Sequence, residues 1–169
     1  SGGMKQKLAL SCALIHRPRV LILDEPNTGV DAVSRDELWK MLYFLIDEGL
    51  TVLVSTPYMD EAEKCDRIAL MQEGRVMAID RPENVVADFE QPLFKISASN
   101  LYKALNILQD FPETRDVYLF GQTIHFIPEN EEVKSEDIEA YIMNNGIPNS
   151  NVNTVQPNIE DCFISLMKK

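Results

Sequence analysis

Two adjacent carboxylates, Asp24 and Glu25, stand at the end of the apolar run Val20-Leu21-Ile22-Leu23 and directly before Pro26. An apolar run bounded by turn residues predicts a strand buried on both faces of a parallel sheet. The acid pair is then expected at the carboxyl rim, where open α/β sheets bind ligands. Phosphoryl transfer needs a metal to neutralise phosphate charge and a group to orient the attacking water. Asp24 is the candidate to hold Mg²⁺, through water, because that ion keeps much of its hydration shell. Glu25 is the candidate to accept a hydrogen bond from a nucleophilic water. A solvated loop after a strand is the alternative.

Ser1-Gly2-Gly3 is the second constellation. Two glycines let backbone amides approach an anion closely, a helix N-terminus adds positive partial charge, and Ser1 adds a hydroxyl donor. Chemically this is a phosphate-binding element; the bland alternative is a plain N-cap.

The elements around these residues follow from periodicity. Met4, Leu8, Cys12 and Ile15 predict a helix over 4–16, ended by Pro18. Strand 20–24 precedes a helix over 33–48 with Leu38, Met41, Leu42, Leu45 and Ile46 on one face. Thr51 to Ser55 is a second strand, followed by a short acidic helix from Met59 and strands at 67–71 and 75–79 joined by Glu73-Gly74. Alternating strands and helices imply βαβ units and a parallel sheet with a hairpin at its edge. Beyond a linking helix from Pro82 to Phe89, the pattern becomes strand–helix–strand–strand–helix–strand and a final helix, 159–167. That order is ferredoxin-like. The expected division is 1–90 and 91–169.

Charge supports two parts. Residues 1–82 carry 13 acids and 10 bases, residues 83–169 carry 14 acids and 6 bases, and the whole 169-residue chain has net charge −11. The acidic second part argues against nucleic acid or anionic lipid as its partner. Cys12, Cys65 and Cys162 lack metal-type spacing and read as reduced core thiols. No apolar run approaches the roughly 18 residues of a membrane span.

Taken together, Ser1-Gly2-Gly3-Met4-Lys5-Gln6-Lys7, Val20 to Glu25 and Gly29-Val30-Asp31 resemble the signature, Walker B and D-loop of the ATP-binding cassette (ABC) transporter nucleotide-binding domain. Thr51 to Ala69 is similar to its switch strand and the acidic helix after it, and Pro157 to Ile164 to the C-terminal end of ABC-2-type drug- and polysaccharide-exporter subunits. The resemblance implies a partial P-loop NTPase-type parallel sheet, then a small α+β ferredoxin-like domain. It implies ATP and Mg²⁺ as cofactors, with Asp24 as metal residue and Glu25 as catalytic base. Ser1, Gly2 and Gly3 would cap the ATP of a partner subunit, and Asp31 would cross that dimer interface. Partners would be a membrane subunit and a second nucleotide-binding domain, in a homodimer or paired complex, with no nucleic acid. Membrane contact would come only through the partner, and the chain would be cytoplasmic and peripheral on the inner face of the cell membrane.

Two departures shape the functional expectation. No Gly is followed by Lys, so Gly-x-x-x-x-Gly-Lys-Ser/Thr is absent from the sequence. The chain is therefore expected to be the C-terminal portion of such a subunit, lacking Walker A and not competent alone. The family's switch histidine falls at Pro57, which has no titratable group and no donor. An ATP-hydrolysing exporter subunit is one reading; a degenerate, non-catalytic subunit offering its signature to a competent partner is the other. His16, His125, Trp39, Tyr43 and the acids of 59–64 read as structural or solvated.

Overall fold

A computed structural model describes residues 2–168. The chain divides into two compact units, Ser1–Lys64 and Cys65–Lys169.

The first unit runs α1 (Gly2–Leu14), β1 (Val20–Asp24), α2 (Ala32–Asp47), β2 (Thr51–Ser55) and α3 (Met59–Ala62). β1 and β2 pair in parallel, with Val20 opposite Thr51 and Asp24 opposite Ser55. The crossover between them is α2, the right length for a βαβ unit. Side-chain alternation puts Leu21, Leu23, Val52 and Val54 on one face, buried or half-buried. The core on α2 is Leu38, Trp39 and Leu42.

Two expectations are corrected here. Val20, Ile22 and Leu53 are 54%, 71% and 60% exposed, so β1 is not buried on both faces. Among the described strands β1 pairs with β2 alone, and only one face of that pair is covered. The stripe Met4, Leu8 and Cys12 of α1, with Ile15 just beyond it, is exposed, while Gly3 and Leu10 are buried. A side chain at Gly3 would place its Cβ 2.5 Å from Ser34 Oγ, so the bare backbone is what lets α1 approach α2.

The second unit begins with the hairpin of β3 (Ile68–Gln72) and β4 (Arg75–Asp80). Its turn residues Glu73 and Gly74 have φ of +50° and +74°, the left-handed pair that matches strand twist. These two strands form a sheet of their own and are not the edge of the parallel pair. Next come α4 (Pro82–Ala87), β5 (Leu93–Ala98), α5 (Leu101–Gln109), β6 (Thr114–Phe120), β7 (Thr123–Pro128), α6 (Ser135–Asn144), β8 (Ser150–Val155) and α7 (Ile159–Met167). The sheet order is β6-β7-β5-β8, and all three pairings are antiparallel. That is the expected ferredoxin-like arrangement. The whole is therefore α/β, a parallel strand pair with its helices followed by a small α+β subdomain.

One face of this sheet packs Phe94, Ile96, Ile124, Phe126 and Val152 against Ala104, Leu108, Ile138 and Ile142 of α5 and α6. Phe111 meets Phe126 and Tyr141 edge-on, with centroids 5.7 and 4.9 Å away. β7 is buried on both faces, because His125 lies on the opposite side and reaches Asp161 of α7.

Candidate functional site

The strand register positions the acid pair. Asp24 and Ser55 are cross-strand partners at the carboxyl ends of β1 and β2, and Ser55 Oγ donates to Asp24 Oδ1. The Glu25 amide donates to Ser55 O and Oγ at 3.0 and 3.1 Å. Glu25 sits at φ +43°, a left-handed conformation that costs a non-glycine residue about 1–2 kcal/mol. Thr28 offsets it, its amide donating to Glu25 O at 3.2 Å and its Oγ1 to Glu25 Oε2 at 3.0 Å. This turn ends the strand sharply and leaves both carboxylates exposed at the rim.

The donor set around Asp24, a carboxylate and a hydroxyl, is all hard oxygen and suits Mg²⁺. Among the described residues there is no group of three or more His, Cys, Asp or Glu that could hold a metal. Such an ion would therefore complete its shell with water and substrate oxygens, which is how Mg²⁺ is usually held.

Gly2 and Gly3 form the first turn of α1, where amides have no intrahelical acceptor. Ser1 lies outside the described residues. A Cβ at Gly2 would come 3.1 Å from Gly29 O, so this turn rests against the loop that follows Glu25. Asp31 caps α2: Oδ1 accepts from Ser34 N at 2.9 Å and Oδ2 from Ser34 Oγ at 2.8 Å. Those two bonds hold its carboxyl below the usual aspartate range.

Pro57 is exposed in the loop after β2. Beneath that loop lies Glu61, which is fully buried and not part of a solvated acidic surface. Glu61 Oε1 accepts from Asn27 Nδ2 at 2.8 Å and Oε2 from Thr56 Oγ1 at 2.7 Å. Arg35 Nε is 3.6 Å from Oε1, and its guanidinium lies over the Tyr58 ring, 4.4 Å from the centroid. Sequence reasoning passed over this group because two of its partners, Asn27 and Arg35, are 34 and 26 positions away in the chain.

The second unit holds another buried acid. Asp161 Oδ1 accepts from Tyr118 Oη at 2.8 Å and meets His125 Nδ1 at 2.6 Å, while Oδ2 accepts from the Asn158 amide at 2.9 Å. Burial pushes the Asp161 carboxyl up, but bonds from His125, Asn158 and Tyr118 outweigh it and leave it below the usual range. Burial and the Asp161 charge raise the Tyr118 phenol. Phe120 stacks on His125 at 4.1 Å. A cleft of about 360 Å³ in this unit is lined by Cys65, Asp66, Arg67, Arg81 and Glu83, none of them candidate phosphate-handling residues.

A parallel strand pair with acids at its carboxyl rim, then a ferredoxin-like sheet, is the α/β class in which nucleotide-handling sites sit at strand ends. Residues 1–28 match the family model described as ABC transporter. The chain is 37% identical, over 99% of its length and 28% of the other's, to the probable multidrug ABC transporter ATP-binding protein YbhF of Escherichia coli K12. Nod factor export ATP-binding protein I of Rhizobium leguminosarum bv. viciae is 34% identical over 98% of the chain and 51% of that protein. The solved cbiO1 structure from Clostridium perfringens, part of the ABC transporter complex cbiONQ, is 37% identical over 53% of this chain and 37% of that one, with TM-score 0.49. The chain is homologous to ABC transporter ATP-binding proteins. It spans 28% and 51% of the length of those two curated relatives.

These findings correct one expectation. The family model matches the N-terminal stretch itself, and the relatives align over nearly the whole chain. What they support is homology to the ATP-binding proteins of multidrug and Nod-factor export along nearly the whole chain, and the expectation of a C-terminal portion is not upheld. No helix among the described residues is long and apolar enough to cross a membrane.

Proposed function

We propose that this chain supplies the hydrolytic rim and the signature helix of an ATP-hydrolysing subunit that energises export through a separate membrane subunit. Residues 1–90 would be the nucleotide-handling part and 91–169 an accessory domain. The observation that carries the reading is the geometry of Asp24 and Glu25, two exposed acids fixed by Ser55 at the ends of paired parallel strands.

In this reading Glu25 accepts a hydrogen bond from the attacking water, while Thr28 holds its turn. Asp24 and Ser55 would hold Mg²⁺, whose charge, when bound, offsets that of the phosphates. The amides of Gly2 and Gly3 would donate to a phosphate brought by a second nucleotide-binding domain, and Ser1 would add its hydroxyl. Asp31 keeps the loop between the two half-sites ordered by capping α2. The chain would work on the cytoplasmic face of the membrane, with nucleic acid playing no part.

Pro57 favours a second reading. A proline at that position offers no donor to a γ-phosphate, so the site would be slow or would serve only as the signature for a competent partner. Nucleotide binding and turnover of the natural protein that carries this chain, alone and with its partner, separate the two. Turnover lost in Glu25→Gln supports the hydrolytic reading; tight nucleotide binding with no turnover in either form supports the second.

A further inference from the structure

Three stretches of the first unit converge on Glu61. Asn27 lies two residues beyond Glu25 and donates at 2.8 Å; Thr56 directly precedes Pro57 and donates at 2.7 Å. Arg35 of α2 supplies the counter-charge at 3.6 Å. Glu61 is 0% and Asn27 1% exposed. Thr56 Oγ1 also accepts from the Tyr58 amide at 3.1 Å, so the hydroxyl spans Pro57.

A buried carboxylate is tolerated only while paired and hydrogen-bonded. The loops after β1 and β2 therefore cannot part without stranding Glu61. A further tie between them, through Ser55, is exposed at the rim, where water competes for its bonds. The tie through Glu61 is buried and free of that competition.

We infer that Glu61 is a positioning residue for hydrolysis. It latches the Glu25 loop to the Pro57 loop and holds their spacing in a chain whose switch position carries no imidazole. The inference rests on the proposed role of Glu25, and the experiment keeps the two apart.

The test uses the natural protein that carries this chain. Glu61→Ala is expected to lower kcat for ATP about 10²-fold, the scale of a roughly 1 Å misplacement of reacting groups. KM should move less than about threefold, because Glu61 is 0% exposed and its carboxylate is engaged by Asn27, Thr56 and Arg35. Glu61→Gln, which keeps an acceptor but no charge, should recover about tenfold of that loss. Amide hydrogen exchange should quicken at Glu25, residues 27–31, Thr56 and Tyr58 in Glu61→Ala. If that variant does not fold, Asn27→Ala and Thr56→Val each cut one spoke and are expected to cost about tenfold in kcat.

A kcat within about twofold of wild type in Glu61→Ala, or in both single-spoke variants, overturns the latch. If wild type has no turnover, unchanged exchange in both loops overturns it. Full turnover in Glu25→Gln would instead sink the reading of the site. An inactive Glu25→Gln beside an unaffected Glu61→Ala sinks the latch alone.

Discussion

Replacing Asp161 by alanine removes the acceptor shared by three groups of the second unit. His125 Nδ1, Tyr118 Oη and the Asn158 amide lie 2.6, 2.8 and 2.9 Å from its oxygens. Hydrogen bonds to a charged acceptor contribute about 1.5–3 kcal/mol each. Their simple sum would exceed what mutants of buried pairs show, because neighbours sharing one carboxylate are not additive. Breaking a buried pair costs about 3–5 kcal/mol, and we expect Asp161→Ala to fall there. For a unit of roughly 100 residues each kcal/mol moves Tm by about 4 °C, so the midpoint should drop about 12–20 °C. Tyr118→Phe removes a single spoke and should cost about 1.5–3 kcal/mol.

The pH dependence has a definite sign on each side. Asp161 is held below the ordinary carboxylate range, so its contribution is present above that range and is lost as pH falls through the folded value. Tyr118 is raised, so its contribution is full below the ordinary phenol range and is lost as pH rises beyond it. Urea unfolding across pH, with native-state exchange of α7 amides, measures both. A loss under about 1 kcal/mol in Asp161→Ala would refute the claim that this acid fastens α7 to the sheet.

Two further outcomes follow from packing and burial. Gly3→Ala should destabilise the first unit by about 1–3 kcal/mol in chemical denaturation, since the new Cβ would lie 2.5–2.6 Å from Ser34 side-chain atoms; an unchanged midpoint would show that α1 shifts freely. Cys12 is exposed, whereas burial raises the Cys162 thiol to about 11. A thiol reagent at neutral pH should therefore modify Cys12 in the folded protein and Cys162 only on unfolding, as peptide mass mapping would show.

The readability of this chain varied with the range of the interaction. Strand 20–24, the hairpin around Glu73-Gly74 and the ferredoxin-like order were legible because local patterning and turn chemistry specify them. Periodicity says that Val20 and Ile22 are apolar, but not whether another element covers them, and here none of the described ones does. The stripe Met4–Leu8–Cys12–Ile15 misled in the same way, while the true contact of α1 runs through Gly3, which carries no hydrophobic signal.

The buried acids were hidden for a different reason. Glu61 stands among Asp60 and Glu63 and reads as solvated until Asn27, Arg35 and Thr56 fold around it. Asp161 left a local trace: Asn158 and Asp161 have the spacing of a capping box, and α7 begins with one. Its pairing with His125, 36 positions earlier, left none. The exposed reduced thiol at Cys12 likewise departs from the expectation of three core cysteines.

The central claim is that Glu25, set at the rim by the Ser55 tie, orients the water that attacks ATP. Steady-state ATPase turnover of the natural protein, wild type against Glu25→Gln, tests it most directly. The account predicts that Glu25→Gln loses hydrolysis by at least about 10²-fold while nucleotide binding persists, and that Pro57→His turns over as fast as wild type or faster. Unchanged turnover in Glu25→Gln would contradict it.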